Sequence, residues 1–236
     1  YQRLGHFNPV PLPGGVQAIK QPWRNTFSQL NHSLGWQNVA QQWGDLEPVK
    51  WLQQHNLEVL AKMVNGGINS PMSSSCGRLF DGVAGLLNIC RDEISYEGQA
   101  AIELESAAQL GRCEEDEGYR LNVMADNGVG YLDAQALWLG LLHDLREGLS
   151  TERIAWRFHN GLAISICEMA TGLARPAQLD TIALSGGVFQ NKTLSELVSN
   201  NLTEQGFRVL SHRQVPSNDG GLALGQAAIG AAVALA

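Results

Sequence analysis

Apolar residues recur at helical spacing along most of this chain, and strand-like apolar runs are few. After an extended start that ends at the turn signal Pro13-Gly14-Gly15, this spacing predicts a succession of helices. The predicted helices span residues 23–34, 49–64, 77–87, 100–110, 132–145 and 152–173, with a strand-like stretch at 119–123. The first three quarters of the chain are therefore predicted to be mainly helical.

The last quarter of the chain has a different pattern. Short apolar runs at 181–184 and 207–210 alternate with helical spacing at 191–204 and 220–235, which predicts a β-α-β-α unit. Units of this kind build sheets covered by helices and place ligands where strands end and helices begin. The pattern therefore predicts an α/β fold with a high helical content.

Both strand exits of this unit are polar and rich in glycine. The first reads SGGVFQN, where Gly186 and Gly187 let a ligand approach the backbone and Asn191 opens the next helix; the second reads SNDGG and contains Asp219. Each exit alone is also compatible with a structural role, as a tight turn or as a helix cap formed by Asn218 or Asp219. Because adjacent parallel strands end at the same edge of a sheet, we expect the two exits to form one site.

A third candidate segment, SSSCGRLFDGVAGLLN, predicts a helix capped by serine. Gly77, Asp81, Gly85 and Asn88 are spaced so that they lie along one side of it, which is almost bare of side chains. Glycines inside a helix cost about 1 kcal/mol each relative to alanine, so this side indicates close approach of a ligand or of another backbone. Two interpretations remain open: a ligand contact at Asp81, or tight helix packing with Asp81 exposed to solvent.

Composition argues against several classes of function. A formal net charge of -7 and the lack of a dense basic run argue against nucleic acid as a partner. The four cysteines are widely spaced and the six histidines show no HxH or HxxxH spacing, so no metal-binding pair is predicted from them. His159 lies on a predicted long helix, where a structural role is more common than a catalytic one.

Neither end of the chain carries the pattern of a secretion or membrane signal. The opening contains Arg3 and His6 among prolines, and the apolar stretch 220–236 is interrupted by Gln226 and is short for a membrane span. We expect a cytoplasmic protein without a membrane anchor, whose last helix is buried.

Together, the segments SSCGRLFDGVAGLL, SGGVFQN and SNDGGLALGQ resemble the carboxyl-terminal domain of the HypF family of hydrogenase-maturation carbamoyltransferases. The segments RLGHFNPVPLPGG and RFHNGLA extend the resemblance over nearly the whole chain. That domain is similar to the TsaD family of tRNA threonylcarbamoyl transferases and to antibiotic O-carbamoyltransferases, which share the actin-like ATPase (ASKHA) fold. The resemblance implies that residues 1–236 are the carboxyl-terminal portion of a TsaD-like carbamoyltransferase domain, incomplete at its amino terminus.

The resemblance also implies roles for individual residues. Asp81, Gly98 and Asn191 would contact the nucleotide part of an acyl-adenylate, with the glycine pair of SGGVFQN beside them. Asp219 would bind a divalent metal, which could be iron, zinc or magnesium. The family's other metal ligands include two histidines of an HHxAH-type motif that this sequence does not contain.

The implied reaction uses ATP and carbamoyl phosphate, from which another part of the parent protein forms carbamoyl-adenylate. This domain would transfer the carbamoyl group to the carboxyl-terminal cysteine thiol of a partner, HypE, on the route to the cyanide ligands of nickel-iron hydrogenase. Two alternatives remain open. One is another carbamoyltransferase of the superfamily, acting on a hydroxyl group or a tRNA base, and the other is a non-catalytic nucleotide-binding or docking module.

Overall fold

A computed structural model describes residues 2–113, 115–126 and 128–234. The chain divides into two compact units, Tyr1–Ser165 and Ile166–Ala236, each with buried apolar residues of its own. The end of the last predicted helix, at residue 235, lies outside the described residues.

The first unit is mainly helical, as its apolar spacing predicts. Its helices are α1 (Val16–Lys20), α2 (Pro22–Leu34), α3 (Trp36–Trp43), α4 (Glu47–Gln53), α5 (Leu57–Asn65), α6 (Cys76–Leu86), α7 (Gln99–Leu110), α8 (Gln135–Arg146) and α9 (Thr151–Ala174), the last of which continues into the second unit. The sequence pattern did not predict α1 or α3. The single helix predicted at 49–64 is wrong, because Asn56 interrupts it and caps α5 by accepting a hydrogen bond from Val59 N.

Short strands complete the first unit. They are β1 (Gly5–Phe7), β2 (Val10–Pro11), β3 (Met72–Ser73), β4 (Asn122–Asp126) and β5 (Val129–Asp133). β1 is parallel to β5 and β4 is antiparallel to it, which gives the order β1-β5-β4, while β2 and β3 form a separate antiparallel pair. The helix predicted from residue 132 begins only at Gln135, because Asp133 ends β5 and its Oδ1 accepts a hydrogen bond from Gln135 N in an Asx turn.

Packing of α2 against α6 forms a central part of the core of this unit. Phe27 of α2 and Phe80 of α6 are both buried. The two helices approach closely at Gly85, where a Cβ atom would lie 2.5 Å from Thr26 Oγ1 and 3.1 Å from the carbonyl carbon of Pro22. The glycine therefore fixes the position of α6, and of the polar side chains on it, against α2.

The second unit has the predicted β-α-β-α order. Its elements are β6 (Thr181–Leu184), α10 (Lys192–Glu204), β7 (Arg208–Ser211) and α11 (Leu222–Ala234), with 3-10 turns at Gly187–Gln190 and Asp219–Gly221. β6 and β7 are parallel, and Thr181 is in register with Arg208. The apolar side of α10 is buried and consists of Leu194, Val198 and Leu202.

The last helix, α11, is exposed, contrary to the expectation of a buried helix. Its side chains are apolar on all sides, and Leu222, Ile229 and Val233 are each more than half exposed. The expectation rested on the apolar composition of this segment. Composition shows that a helix has apolar side chains to bury, but it does not show which residues pack against them. Within the part of the chain that the structure describes, no helix combines the length and apolar character needed to cross a bilayer.

Candidate functional site

Asp81 lies in the second turn of α6 and is almost completely buried, with 2% of its surface exposed. The interpretation of Asp81 as a solvated residue is therefore wrong. Helix packing explains Gly85 but not Gly77, whose missing Cβ would meet only Ser75 Oγ, at 3.5 Å. Of these two glycines, Gly85 thus serves packing, and Gly77 leaves open space one turn before Asp81.

The cation that acts on Asp81 is Arg78, three residues earlier in α6. Its Nη1 atom is 2.6 Å from Asp81 Oδ2, and its side chain is 17% exposed. Both atoms are buried, yet this contact lacks the alignment of a hydrogen bond, and neither atom has another hydrogen-bond partner among the described residues. A buried ion pair without aligned hydrogen bonds recovers little of its desolvation cost. Donors from a ligand could therefore replace this contact at Asp81.

The protonation equilibrium of Asp81 reflects this environment. Burial raises the pKa of Asp81 from its ordinary value of 3.8 to about 6, and the charge of Arg78 opposes this rise without cancelling it. A buried carboxyl group with a perturbed pKa and an unsatisfied oxygen is typical of a ligand-binding position. A ligand contact at Asp81 stays a prediction, which is consistent with the burial of this carboxyl group and with its unsatisfied oxygen.

The sequence analysis did not single out Arg78 as a candidate. The available signal was its spacing from Asp81 in GRLFD, because residues three apart lie on the same side of a helix. The same spacing is common among surface ion pairs, so burial was needed to give it meaning.

The thiol of Cys90 is affected both by Asp81 of α6 and by Glu103 of α7. Burial, a hydrogen bond with Glu103 and the nearby charges of Glu103 and Asp81 raise the pKa of the Cys90 thiol to about 12. Gln99, in the first turn of α7, donates a hydrogen bond to Glu103 Oε1 at 2.8 Å. Gly98 precedes this turn with a φ of 81°, which favours glycine, and nothing lies within 4 Å of the position of a Cβ. Asp81 and Gly98 therefore lie on neighbouring elements of the first unit.

A small cavity lies at the amino end of α6. Its polar lining includes Gln29, His32, Ser74, Ser75 and Asp133. The two oxygens of Asp133 already accept hydrogen bonds, from Asn8 Nδ2 at 3.1 Å and from Gln135 N at 3.0 Å. Because a carboxylate repels anions, this lining suits a small neutral hydrogen-bonding group better than a phosphate.

The two strand exits of the second unit are in contact, as the sequence predicts. Gly186 N donates a hydrogen bond to Ser217 O at 2.8 Å, and His212 Nε2 is 3.0 Å from Ser185 Oγ. Gly186 has a φ of 107°, a region that favours glycine, and Gly187 begins the 3-10 turn that follows. Both polar segments therefore lie at the same edge of the β6-β7 pair.

Asn191 and Asp219 occupy this edge in different settings. Asn191 is buried, and its Oδ1 accepts a hydrogen bond from Leu194 N at 2.8 Å, which caps α10. The cap before α11 is Asn218, whose Oδ1 accepts from Gly220 N at 3.0 Å. Asp219 does not serve as this cap, and it is exposed to solvent.

Asp219 does not form a metal site with other side chains that the structure describes. Across the described ranges, no group of three or more His, Cys, Asp or Glu residues is placed to hold a metal ion. One carboxylate is too few for any of the metals considered. A metal-binding role for Asp219 therefore stays a prediction from the resemblance, and no step of a reaction is assigned to a metal.

His159 has a structural role. It is fully buried, its Nδ1 donates a hydrogen bond to Ala155 O at 2.8 Å, and its ring packs edge-on against Phe80 and Phe158. Burial lowers the pKa of His159 to about 4, although the hydrogen bond to Ala155 opposes this effect. The imidazole is therefore neutral and part of the core.

Comparison of the sequence with known proteins identifies its relatives. A family model described as "Carbamoyltransferase, Kae1-like Domain, second subdomain" matches residues 1–226. Carbamoyltransferase HypF of Rhodobacter capsulatus is 36% identical over 232 residues, which are 98% of this chain and 28% of that protein. Carbamoyltransferase HypF of Rhizobium leguminosarum is 34% identical over 229 residues, which are 97% of this chain and 28% of that protein. The chain thus spans less than a third of the length of these relatives.

Solved structures show the same relationship. A crystal structure of full-length HypF in the phosphate- and nucleotide-bound form matches with a TM-score of 0.87 at 30% identity, covering 98% of this chain and 29% of that one. The structure of HypF from T. kodakarensis matches with a TM-score of 0.81 at 28% identity, covering 97% of this chain and 30% of that one. These matches confirm the predicted helix-rich α/β fold of the actin-like ATPase type. The chain therefore belongs to the HypF family of carbamoyltransferases and corresponds to the second subdomain of their Kae1-like domain.

Proposed function

We propose that this chain binds carbamoyl-adenylate while its carbamoyl group passes to the carboxyl-terminal cysteine thiol of HypE, on the route to the cyanide ligands of nickel-iron hydrogenase. The observation that carries the proposal is the buried carboxylate of Asp81, whose Oδ2 atom lacks an aligned hydrogen bond. Two findings on relatives support it. The relatives are named for carbamoyl transfer, and one HypF structure is described as nucleotide-bound.

Asp81 would bind the ribose of the adenylate. A ribose presents adjacent hydroxyl groups, which are hydrogen-bond donors, and an ionised carboxylate only accepts. Hydrogen bonds to a charged group contribute about 1.5–3 kcal/mol each, so these hydroxyls would satisfy the oxygen that Arg78 alone leaves unsatisfied. Gly98, with open space at its Cα, would let the ligand approach the start of α7.

The second unit carries the other residues to which the resemblance gives a role in nucleotide binding. Gly186 and Gly187 leave their backbone uncovered by side chains at the edge where β6 and β7 end. Strand ends of this kind are where α/β sheets bind ligands. Asn191 would add a side-chain contact while it continues to cap α10, because an amide has both a donor and an acceptor group.

The transfer itself is an acyl substitution. The thiol of HypE loses its proton, the thiolate sulfur attacks the carbamoyl carbon, and a carbon–sulfur bond forms. The bond from that carbon to the phosphate oxygen breaks, and AMP leaves with the electron pair. The residues of this chain would hold the adenylate and orient the carbamoyl group towards the thiol, which lowers the barrier by positioning.

Calorimetric titration of AMP into the full-length gene product that contains this chain tests the assignment of Asp81. We expect Asp81→Asn to weaken binding roughly tenfold or more, because the neutral amide loses the charge-assisted bonds to the ribose. Asp126→Asn is the matched control, since Asp126 is an exposed carboxylate in the same unit. Unchanged affinity in a folded Asp81→Asn protein would return Asp81 to a packing role.

A further inference from the structure

We infer that Arg78 makes this site prefer a nucleotide to a nucleoside. In the ligand-free chain Arg78 pairs with Asp81, and in the complex it pairs with the phosphate while the ribose occupies Asp81. The inference rests on the proposed function, because it takes Asp81 as the carboxylate that binds the ribose.

The pair of Arg78 and Asp81 has poor hydrogen-bonding geometry. Arg78 Nη1 is 2.6 Å from Asp81 Oδ2, but the contact is not aligned as a hydrogen bond. A guanidinium group carries five N–H donors in a planar fork, and Arg78 donates no hydrogen bond from its side chain to any residue that the structure describes. Its capacity to bind an anion is therefore almost unused.

Arg78 differs from two other arginines of the same unit. Arg91 donates from Nη1 and Nη2 to the two oxygens of Glu47, at 2.8 and 2.7 Å, and from Nε to Gly85 O at 3.1 Å. Arg153 forms a similar fork with Asp116, at 2.8 and 2.7 Å. Arg91 and Arg153 thus bind their carboxylates through two aligned hydrogen bonds each, whereas Arg78 has no aligned hydrogen bond to the unsatisfied carboxylate beside it.

The location of Arg78 in α6 also favours an anionic ligand. It lies in the first turn of α6, where the helix dipole favours an anion and disfavours a cation. Gly77 beside it carries no side chain, and a Cβ there would have only Ser75 Oγ within 4 Å, at 3.5 Å. A phosphate beside Gly77 and Arg78, neither of which lines the cavity that contains Asp133, would be stabilised by the guanidinium and by the helix terminus together.

These observations define an exchange of partners. When ribose hydroxyls donate to Asp81, they compete with the guanidinium for the same oxygen. A nucleotide compensates Arg78, because its phosphate accepts two parallel hydrogen bonds from the fork. A nucleoside supplies the hydroxyls but no phosphate, so its binding leaves the partly buried guanidinium of Arg78 without an anionic partner. Arg78 is thus a specificity-determining residue for the phosphate.

The test compares AMP with adenosine in the full-length gene product at about pH 8, where Asp81 is ionised. In each titration, the part of the binding signal that is lost in the Asp81→Asn variant is assigned to this site. We expect Arg78→Gln to weaken AMP binding at this site roughly tenfold and to leave adenosine binding within about twofold, or tighter. Arg78→Lys keeps the charge but loses the fork, so its ratio of AMP to adenosine affinity should be intermediate.

The outcomes separate the inference from the proposed function. If Arg78→Gln weakens AMP and adenosine by the same factor, Arg78 only holds Asp81 in place, and the inference is overturned while the ribose site stands. If Asp81→Asn removes no part of the binding of AMP or adenosine, both the inference and the proposed function are overturned. If Arg78→Gln does not fold, the ratio measured for Arg78→Lys decides, because an unchanged ratio in that variant contradicts the inference.

Discussion

Asp81 destabilises the fold around it. Its carboxylate is buried, its pKa is raised, and the misaligned contact with Arg78 offsets only part of the cost of burial. A neutral side chain of similar size would fill the same space without this cost. Residues that combine burial with unmet hydrogen-bonding capacity are typical of ligand-binding positions, where stability is lost in exchange for function.

The stability of the protein should therefore depend on pH through Asp81. The pKa of Asp81 is about 6 in the folded chain and near 3.8 in the unfolded chain. The folded chain therefore binds more protons than the unfolded chain between about pH 4 and 6. As pH rises through this window, Asp81 lowers the free energy of unfolding. The full effect is at most about 3 kcal/mol. In urea unfolding, Asp81→Asn should gain stability relative to the wild type between about pH 4.5 and 7.5. Parallel profiles for the two proteins would contradict the raised pKa.

Single residues of the site were predictable from the sequence to different degrees. Helical spacing identified Asp81, and the order of strands and glycines identified Asn191 and Asp219. The burial of Asp81 and the importance of Arg78 could not be predicted, because both depend on how α2 and α7 pack around α6. Gly98 was found only through the family resemblance, since one glycine before a helix is a weak signal.

At the scale of elements, α6 uses its glycines for two purposes. Gly85 meets the backbone of α2 and fixes the distance between the two helices. Gly77 meets open space and directly precedes Arg78, which pairs with Asp81. Both residues looked equivalent in the sequence, because helical periodicity places them on one side of the helix without saying what lies opposite each turn.

The two glycines should respond differently to the same substitution. Gly85→Ala should lower the free energy of unfolding by about 1–3 kcal/mol, because its Cβ would lie 2.5 Å from Thr26 Oγ1. Gly77→Ala should leave stability unchanged or raise it by up to about 1 kcal/mol, because alanine is the better helix former and the space is open. Urea unfolding of both variants makes the comparison. Equal effects on stability would show that the α2–α6 contact is looser than described.

Asn191 has a structural role as the cap of α10 and a proposed role as a ligand contact, and two variants separate them. Asn191→Ala should lose about 1 kcal/mol of stability and should also weaken AMP binding. Asn191→Asp keeps the capping oxygen, so it should retain stability, but it lacks the amide donor and places a negative charge near the nucleotide. Thermal unfolding and AMP titration measure the two effects. An Asp variant that binds AMP like the wild type would limit Asn191 to capping.

The elements that the sequence failed to predict depend on distant contacts. The last two residues of β5 were assigned to a helix because Leu132 fits a helical pattern, but the strand exists through pairing of Gly130 with Gly5 and of Leu132 with Phe7. Such pairing joins residues more than a hundred positions apart, and local periodicity contains no information about it. The β-α-β-α unit was predicted correctly, because its signals lie within one short stretch of chain.

At the scale of the whole molecule, the candidate residues divide between the two compact units. Asp81, Arg78 and Gly98 belong to the first, and the glycine pair with Asn191 and Asp219 belongs to the second. The division agrees with the sequence pattern, which changes from mainly helical to β-α-β-α before the last quarter of the chain. The family resemblance implies roles in nucleotide or metal binding for residues of both units.

Intact-mass spectrometry of HypE tests the proposed transfer most directly. HypE is incubated with the full-length gene product, ATP and carbamoyl phosphate, and parallel reactions use the Asp81→Asn and Asp126→Asn variants. We predict that HypE gains the mass of one carbamoyl group, that replacing its terminal cysteine by serine abolishes the gain, and that only Asp81→Asn slows it. No gain from a preparation that forms carbamoyl-adenylate, or an equal gain with Asp81→Asn, would contradict the proposed function of this chain.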